Sequence, residues 1–222
     1  GGIWFFIKRE LNQKALPEPK EAGCSILIPC FNEAEQVKQT IRYAMQSQYP
    51  KFEVIAINDG SSDQTGEILD ELAEKYPKLR VVHLAENQGK AYALRAGAMV
   101  SGYEYLICID GDALMHPHCV LWMMHHLTMF PRVGAVTGNP RIINRSSILG
   151  KVQVGEFSSI IGLIKRAQRT YGRIFTVSGV CAGFRKTALD RIGYWRDDMI
   201  TEDIDVSWRL QFDHWDVQYV PQ

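Results

Sequence analysis

The chain has 222 residues, enough for one large domain or two small ones, of which 46% are hydrophobic and 23% charged. This balance is typical of a globular protein and excludes a disordered chain. Lysine plus arginine equals aspartate plus glutamate at 25 each, which argues against nucleic-acid binding. Five cysteines without CxxC spacing suit reduced thiols in a cytosolic compartment and argue against a disulfide framework.

The N-terminal segment, GGIWFFIKRE, is apolar over residues 2–7 and then carries Lys8 and Arg9. It is too short to span a membrane, which takes about 20 apolar residues. It does look like the cytoplasmic end of a spanning helix, where aromatic residues precede positive charge. The alternative is a packed N-terminal strand or added residues. A linker rich in proline and charge, residues 16–23, follows it.

After the linker, strand-like apolar runs alternate with helical patterns. We predict strands over 24–29, 52–58, 80–84, 105–109 and 133–138. We predict helices over 33–47, 64–76 and 88–101, a fourth helix just before the fifth strand, and a fifth that begins near Thr201. This alternation predicts an α/β fold with a mostly parallel central sheet flanked by helices. Ligands of such sheets bind at the carboxyl ends of the strands, so the polar residues there are the candidate site.

Two polar motifs follow the first two strands. In IPCFNE (28–33), Asn32 and Glu33 are explained by a helix start, with the asparagine as cap. In AINDGSSDQT (56–65), an Asp-Gly turn with Asp63 opening a helix is a sufficient structural explanation. A carboxylate fixed at Asp59 would also suit the imide N–H of a uracil ring. Both interpretations stay open, but both motifs fall on the same edge of the sheet.

A Gly-Lys pair in ENQGKA (86–91) precedes the third helix without forming a P-loop. Leu84 stands where the first glycine is required, and Ala91 where Ser or Thr is required. No GxGxxG follows the first strand either, so a dinucleotide fold is not expected. Lys90 is either a solvated surface lysine or reaches an anionic ligand, and we favour the ligand.

The strongest single signal is Asp110-Gly111-Asp112, directly after the apolar run YLICI. Two ionised carboxylates about 6 Å apart repel by roughly 3 kcal/mol at an effective dielectric near 20, so a compensating group is expected. Mg²⁺ and Mn²⁺ prefer such oxygens, and Mg²⁺ usually takes one or two carboxylates plus substrate phosphates. A solvated turn is the alternative, and we favour the metal. His116 and His118 could extend the ligand set, but in a loop with Pro117 we favour plain helix entry.

An acidic cluster follows Thr201 and comprises Glu202, Asp203 and Asp205. The structural explanation is a helix start, because acids in a first turn are stabilised by the helix dipole. The functional explanation is a general base, since a carboxylate in a site can take a proton from an attacking hydroxyl.

Taken together, IPCFNE, INDGSSD, NQGKAYAL, CIDGD and TEDID resemble, in order and spacing, the family-2 glycosyltransferases with a GT-A fold. The resemblance covers roughly residues 24–222. It is greatest to the processive membrane polysaccharide synthases, which include cellulose, chitin and hyaluronan synthases, and among them to bacterial members that polymerise β-1,6-linked N-acetylglucosamine in biofilms. Those synthases carry a Gln-x-x-Arg-Trp motif and transmembrane helices beyond the point that matches Gln222.

This resemblance implies how the chain is organised and where it works. Residues 1–23 are expected to be the end of a transmembrane helix with a linker, and 24–222 a GT-A domain that stops before the later motif. We expect a bacterial inner membrane protein whose catalytic domain faces the cytoplasm. The implied partners are the membrane, through flanking helices, and a small accessory membrane subunit, without nucleic acid.

The resemblance also implies roles for residues at the matching positions. On the donor side, Pro29, Phe31 and Glu33 would line the uridine pocket, and Asp59 would accept a hydrogen bond from uracil. Lys90 and Asp110 would lie near the nucleotide, and Asp112 with Asp110 would hold Mg²⁺ or Mn²⁺. Asp203 would be the catalytic base, and the residues near the acceptor would be Ser178, Gly179 and Glu202.

The implied reaction is an inverting transfer of N-acetylglucosamine from UDP-N-acetylglucosamine to a growing polysaccharide. Three alternatives stay open from the sequence. They are another polysaccharide synthase, a non-processive transferase acting on a lipid or other acceptor, and a nucleotide-sugar-binding domain that acts as a sensor or scaffold without catalysis.

Overall fold

The computed structural model describes residues 15–138, 165, 168, 174–199 and 201–220. The apolar segment at residues 2–7 and the charges after it lie outside these residues, so the predicted membrane-proximal end stays a prediction. Within the described ranges, none of the helices has the length and apolar character needed to cross a bilayer.

The described residues form seven strands and six helices. The strands are β1 (Cys24–Cys30), β2 (Phe52–Asp59), β3 (Leu79–Leu84), β4 (Tyr105–Ile109), β5 (Val133–Thr137), β6 (Cys181–Arg185) and β7 (Asp216–Tyr219). The helices are α1 (Val37–Met45), α2 (Thr65–Lys75), α3 (Lys90–Val100), α4 (Cys119–Met129), α5 (Lys186–Ile192) and α6 (Glu202–Phe212).

The strands form one sheet in the order β3-β2-β1-β4-β6-β5-β7. Strands β1 to β4 are mutually parallel, and β7 is parallel to β5. Strand β6 runs antiparallel to both of its neighbours, β4 and β5. The predicted α/β fold with a mostly parallel sheet is therefore confirmed.

Two apolar layers hold the helices to the sheet. Helices α1, α2 and α4 pack on one face, and α3, α5 and α6 pack on the other. Strand β1 serves both layers, since Ile26 and Ile28 belong to the first and Leu27 to the second, as the alternation of side chains along a strand requires. Because β1, β2 and β4 are parallel, the loops after these three strands lie at one edge of the sheet.

Three elements, β6, α5 and β7, were not predicted. Strand β6 lies in a run of small residues, and a Cβ at Gly183 would come 2.7 Å from Val136 Cγ2. Close packing thus selects small residues there instead of the β-branched residues that mark a strand in sequence. Strand β7 has only four residues, too few for a clear alternation.

The predicted start of the first helix was wrong. Helix α1 begins at Val37, four residues after Glu33, and Asn32 adopts a left-handed conformation with φ 54°. Asn32 therefore lies outside the helix and does not cap it.

Arg209 joins helix α6 to the turn after α5. Its guanidinium donates to Asp205 Oδ2 at 2.6 and 2.8 Å, to the Ile192 carbonyl at 2.5 Å and to the Tyr194 carbonyl at 2.7 Å. The side chains of Arg209 and Asp205 are only 21% and 11% exposed. Asp205 thus has a structural role as the ion-pair partner of Arg209. The bonds of the Arg209 guanidinium fix the position of α6, the helix that carries Glu202 and Asp203.

We expect Arg209→Met to lower the free energy of unfolding by about 3 kcal/mol, because the substitution leaves a mostly buried carboxylate unpaired. Urea denaturation measures this loss. The matched control is Arg191→Met, which removes an exposed ion pair to Asp213 and should lower the free energy of unfolding far less, because exposed ion pairs contribute little. Equal losses in the two variants would contradict the assignment.

Candidate active site

A cleft of about 340 Å³ lies at the carboxyl ends of β1, β2 and β4. It is lined by Pro29, Cys30, Phe31, Glu33, Asp59, Lys90, Asp110, Gly111 and Asp112. All residues that the sequence assigned to the donor side therefore line one cavity, although they come from four separate segments. The volume lies in the range of small-molecule sites.

The loops after β1 and β2 are joined by backbone-to-side-chain hydrogen bonds. Ser62 N donates to Asn32 Oδ1 at 2.9 Å, Glu33 N to Thr65 Oγ1 at 2.8 Å, and Ala34 N to Asp63 Oδ2 at 3.1 Å. The same Asp63 carboxylate accepts from Thr65 N at 3.0 Å, next to the start of α2. These bonds place Phe31 and Glu33 over the cleft before any ligand binds.

Asp59 holds the segment that carries Lys90. Its carboxylate is buried, and its two oxygens accept from Gln88 N and Gly89 N at 2.9 Å each. Gly60 makes this approach possible, since a Cβ there would lie 2.4 Å from Asn87 N. Each carboxylate oxygen keeps a second lone pair, so the predicted bond from a uracil ring is compatible with this arrangement and stays a prediction.

Lys90 bridges the two sides of the site. Its Nζ lies 2.5 Å from Asp110 Oδ1, 2.9 Å from the Gly179 carbonyl oxygen and 3.6 Å from Glu202 Oε1. Burial lowers the pKa of Lys90, but the Asp110 and Glu202 carboxylates outweigh it and raise the pKa above its ordinary value. The side chain is one-third exposed and faces the cleft, so Lys90 is not a solvated surface lysine.

The glycine between the two strand-end acids is required by packing. A Cβ at Gly111 would lie 2.8 Å from the Pro29 carbonyl oxygen, and Thr40 Oγ1 donates to the Gly111 carbonyl at 2.7 Å. The Asp110-Gly111-Asp112 turn is therefore pressed against β1 and anchored to α1. It is not the loose solvated turn of the alternative interpretation.

The acids at this turn repel one another. Burial is the largest cause that raises the pKa of Asp110, Asp112 and Glu202 raise it further, and Lys90 opposes them. Burial also raises the pKa of Glu33, together with the charge of Asp112. A cluster of this kind favours a bound cation.

A divalent cation fits this set of donors. Within the described ranges, no group of three or more His, Cys, Asp or Glu residues forms a ready-made cage. One or two carboxylates facing a cleft are nonetheless what Mg²⁺ uses when substrate phosphates complete its coordination. Since Lys90 contacts Asp110, Asp112 is the more available of the two carboxylates.

The acceptor-side residues face Lys90 from the other half of the sheet. A Cβ at Gly179 would lie 3.4 Å from Lys90 Nζ and 3.5 Å from Asp203 Oδ2, so Gly179 and Asp203 adjoin the donor cleft. Sequence reasoning missed the two residues that hold this segment. Ser207 Oγ accepts from Val177 N at 2.9 Å, and Thr137 Oγ1 accepts from Ser178 N at 2.8 Å.

The residues that precede helices α6 and α4 are Thr201 and His118. Thr201 stands at the N-cap of α6, but its side chain makes no capping bond. Of the acids after it, Glu202 and Asp203 face the site, and Asp205 pairs with Arg209. His118 immediately precedes α4 and lies 2.7 Å, Nε2 to Oε1, from Gln48. This position of His118 is compatible with helix entry.

We expect Asp59→Asn to lower the affinity for UDP roughly tenfold, or about 1.4 kcal/mol. The amide can accept only one of the two backbone N–H groups, so the segment before Lys90 loses an anchor. Isothermal titration calorimetry with UDP measures the effect. Asp70→Asn is the control, because this exposed α2 carboxylate contacts only His83 in the described structure; an equal affinity in Asp59→Asn and the wild type would refute the prediction.

Comparisons with known proteins agree with this geometry. The family model for glycosyl transferase family 2 matches residues 25–193. The poly-beta-1,6-N-acetyl-D-glucosamine synthase of Staphylococcus epidermidis is 44% identical over 223 residues, which are 99% of this chain and 54% of that protein. The protein of the same name from Staphylococcus aureus strain COL is 41% identical over 226 residues, or 100% and 55%. The chain thus spans about half the length of these curated relatives.

Solved structures share the fold. The mannosyltransferase PcManGT from Pyrobaculum calidifontis, in complex with GDP-Man and Mn²⁺, superposes with a TM-score of 0.79 at 22% identity over 99% of this chain and 61% of that one. Residues 1–349 of Staphylococcus aureus TarS, in complex with UDP-GlcNAc, give a TM-score of 0.68 at 15% identity over 90% and 56%. The family match over most of the chain, with relatives above 40% identity, shows that the chain belongs to glycosyl transferase family 2.

Proposed function

We propose that this chain is the catalytic domain of an inverting glycosyltransferase that adds N-acetylglucosamine from UDP-N-acetylglucosamine to a growing β-1,6-linked polysaccharide. The observation that carries the proposal is the bridge of Lys90 between Asp110 on the donor side and Glu202 on the acceptor side. The relatives named poly-beta-1,6-N-acetyl-D-glucosamine synthase support the choice of sugar and linkage. The shared fold of TarS, solved with UDP-GlcNAc, is compatible with the donor.

The donor would lie in the cleft between the β1 and β4 loops. Phe31 and Glu33 would flank the uridine, and Asp59 would accept from the uracil imide. Lys90 would place its ammonium group beside the diphosphate, within reach of Asp110. A divalent cation, Mg²⁺ or Mn²⁺, held by Asp112 with Asp110 beside it, would offset the negative charge of the departing diphosphate.

The acceptor would approach over Gly179, which adjoins the half-buried Asp203 carboxylate. Asp203 takes the proton of the acceptor hydroxyl as its oxygen forms a bond to the anomeric carbon. The bond from that carbon to the diphosphate oxygen breaks, and UDP leaves with the electron pair. A single displacement inverts the anomeric carbon, which turns an α-linked donor into a β-linked product.

We also propose that the protein works at the inner face of the bacterial cell membrane. The relatives are nearly twice the length of the region that matches this chain. The resemblance to processive synthases supports flanking membrane helices and a small accessory membrane subunit as partners. Assays of intact membranes with several UDP-sugars, followed by linkage analysis of the polymer, test donor, linkage and location together.

We expect Asp203→Asn to keep its affinity for UDP but to lose about 10²-fold or more in transfer rate, the usual scale of general-base catalysis. Radiolabelled sugar transfer and UDP titration measure the two quantities. Asp197→Asn, which changes an exposed acid near the start of α6, is the control. Normal transfer by Asp203→Asn would remove this residue from the mechanism.

We expect Asp112→Asn to abolish the increase in UDP affinity that Mn²⁺ or Mg²⁺ produces, since the amide is a weak ligand for a hard cation. UDP titrations with and without metal measure it, and UDP affinity without metal should stay within about twofold. Glu35→Gln, an exposed acid in the loop before α1, should retain the metal effect. If Asp112→Asn retained it as well, the metal assignment would be wrong.

A further inference from the structure

Lys165 places a buried ammonium group under the acceptor side of the site. The residue is only 7% exposed, and its Nζ donates to Thr137 Oγ1 at 3.0 Å. Thr137 is fully buried at the end of β5, and the same hydroxyl oxygen accepts from Ser178 N at 2.8 Å. One hydroxyl therefore connects the lysine to the segment over which the acceptor would lie.

The groups that act on Lys165 come from two elements of the described structure. The charges of Asp203 on α6 and of Cys181 on β6 both act to raise the pKa of Lys165. Burial lowers the pKa of Lys165 to about 8, and Asp203 opposes this effect. The Cys181 thiol lies 3.5 Å from Cys119 Sγ, and this contact and burial raise the pKa of Cys181 well above its ordinary value. Cys181 is therefore neutral, which leaves Asp203 as the charged neighbour.

A buried lysine is costly unless its charge is used. Transfer of an ammonium group out of water is strongly unfavourable without compensation, and a neutral hydroxyl compensates only in part. A perturbed lysine connected to a candidate site is a typical sign of a functional role, and Lys165 is connected to Ser178 through Thr137.

The charges of the site leave a distinct place for this lysine. Lys90 contacts Asp110 and Glu202, so its charge is shared by two carboxylates. Among described groups, Asp203 Oδ1 accepts from Ile204 N at 2.9 Å, and Oδ2 faces Gly179. Lys165 contacts neither Asp110 nor Glu202 in the described structure; its hydrogen bond goes to Thr137 Oγ1, which also holds Ser178.

We propose that Lys165, held by Thr137, is a positioning residue for the acceptor side: the hydroxyl that Lys165 and Ser178 share fixes the segment of Ser178 and Gly179 beside Asp203. The inference rests on the proposed role of Asp203 as base. It assigns to Lys165 no contact with the donor, so donor binding and transfer should respond differently when it is changed.

Four variants test this in the intact protein, with UDP affinity and sugar transfer both measured. Lys165→Met and Thr137→Val should each lower transfer about tenfold or more while UDP affinity stays within about twofold. Thr137→Ser keeps the hydroxyl and should restore transfer to within about threefold of the wild type. Asp203→Asn serves as the reference for loss of the base.

The outcomes separate this inference from the proposed function. If Asp203→Asn is inactive while Lys165→Met keeps wild-type transfer, the inference is wrong and the proposed function stands. If Asp203→Asn keeps full transfer, the proposed function fails, and the inference with it. A parallel loss of UDP affinity in Lys165→Met would reveal a purely structural role and overturn the inference. Should Lys165→Met not fold, the comparison of Thr137→Val with Thr137→Ser decides.

Discussion

The site depends on one ammonium group that holds together three parts of the fold. Lys90 Nζ reaches Asp110 at the end of β4, the Gly179 carbonyl before β6, and Glu202 at the start of α6. Without it, the carboxylates would face one another uncompensated, and a pair about 6 Å apart repels by roughly 3 kcal/mol at an effective dielectric of 20. Lys90 therefore both permits and orients the convergence of acids that the chemistry needs.

The position of Lys90 follows in turn from the sheet. Strand β2 ends in Asp59, whose two oxygens anchor the Gln88 and Gly89 N–H groups, and the lysine is the next residue along the chain. The antiparallel strand β6 pairs with β4, which brings Gly179 to the same edge. Donor and acceptor residues that are far apart in sequence thus meet because parallel and antiparallel pairing coincide at β4.

The sequence predicted the first half of the fold well, because its strands are buried on both faces and its helices show a clear apolar period. The second half was harder, since small residues in β6 and four residues in β7 carry little pattern. The predicted role of Asn32 as a helix cap failed for a different reason. A cap is the usual role of an asparagine in that place, but its contact with Ser62 depends on a loop 30 residues away.

The donor residues were found because each follows a strand, and strand ends meet at one edge in a parallel sheet. The residues that support the acceptor side could not be found this way. Thr137 bonds to groups 28 and 41 residues away, at Lys165 and Ser178, and Ser207 to a group 30 residues away, at Val177. No local pattern records such contacts, so a buried threonine or serine looks like any other until the chain is folded.

The two lysines of the site show how one residue type acquires two behaviours. Burial lowers the pKa of both. At Lys90 two carboxylates outweigh burial and the pKa rises, so that lysine keeps its charge and serves as a permanent bridge. At Lys165 burial prevails over the single carboxylate of Asp203, and the pKa falls to about 8. The number of acids that the fold places around each buried ammonium group therefore decides whether its pKa rises, as at Lys90, or falls, as at Lys165.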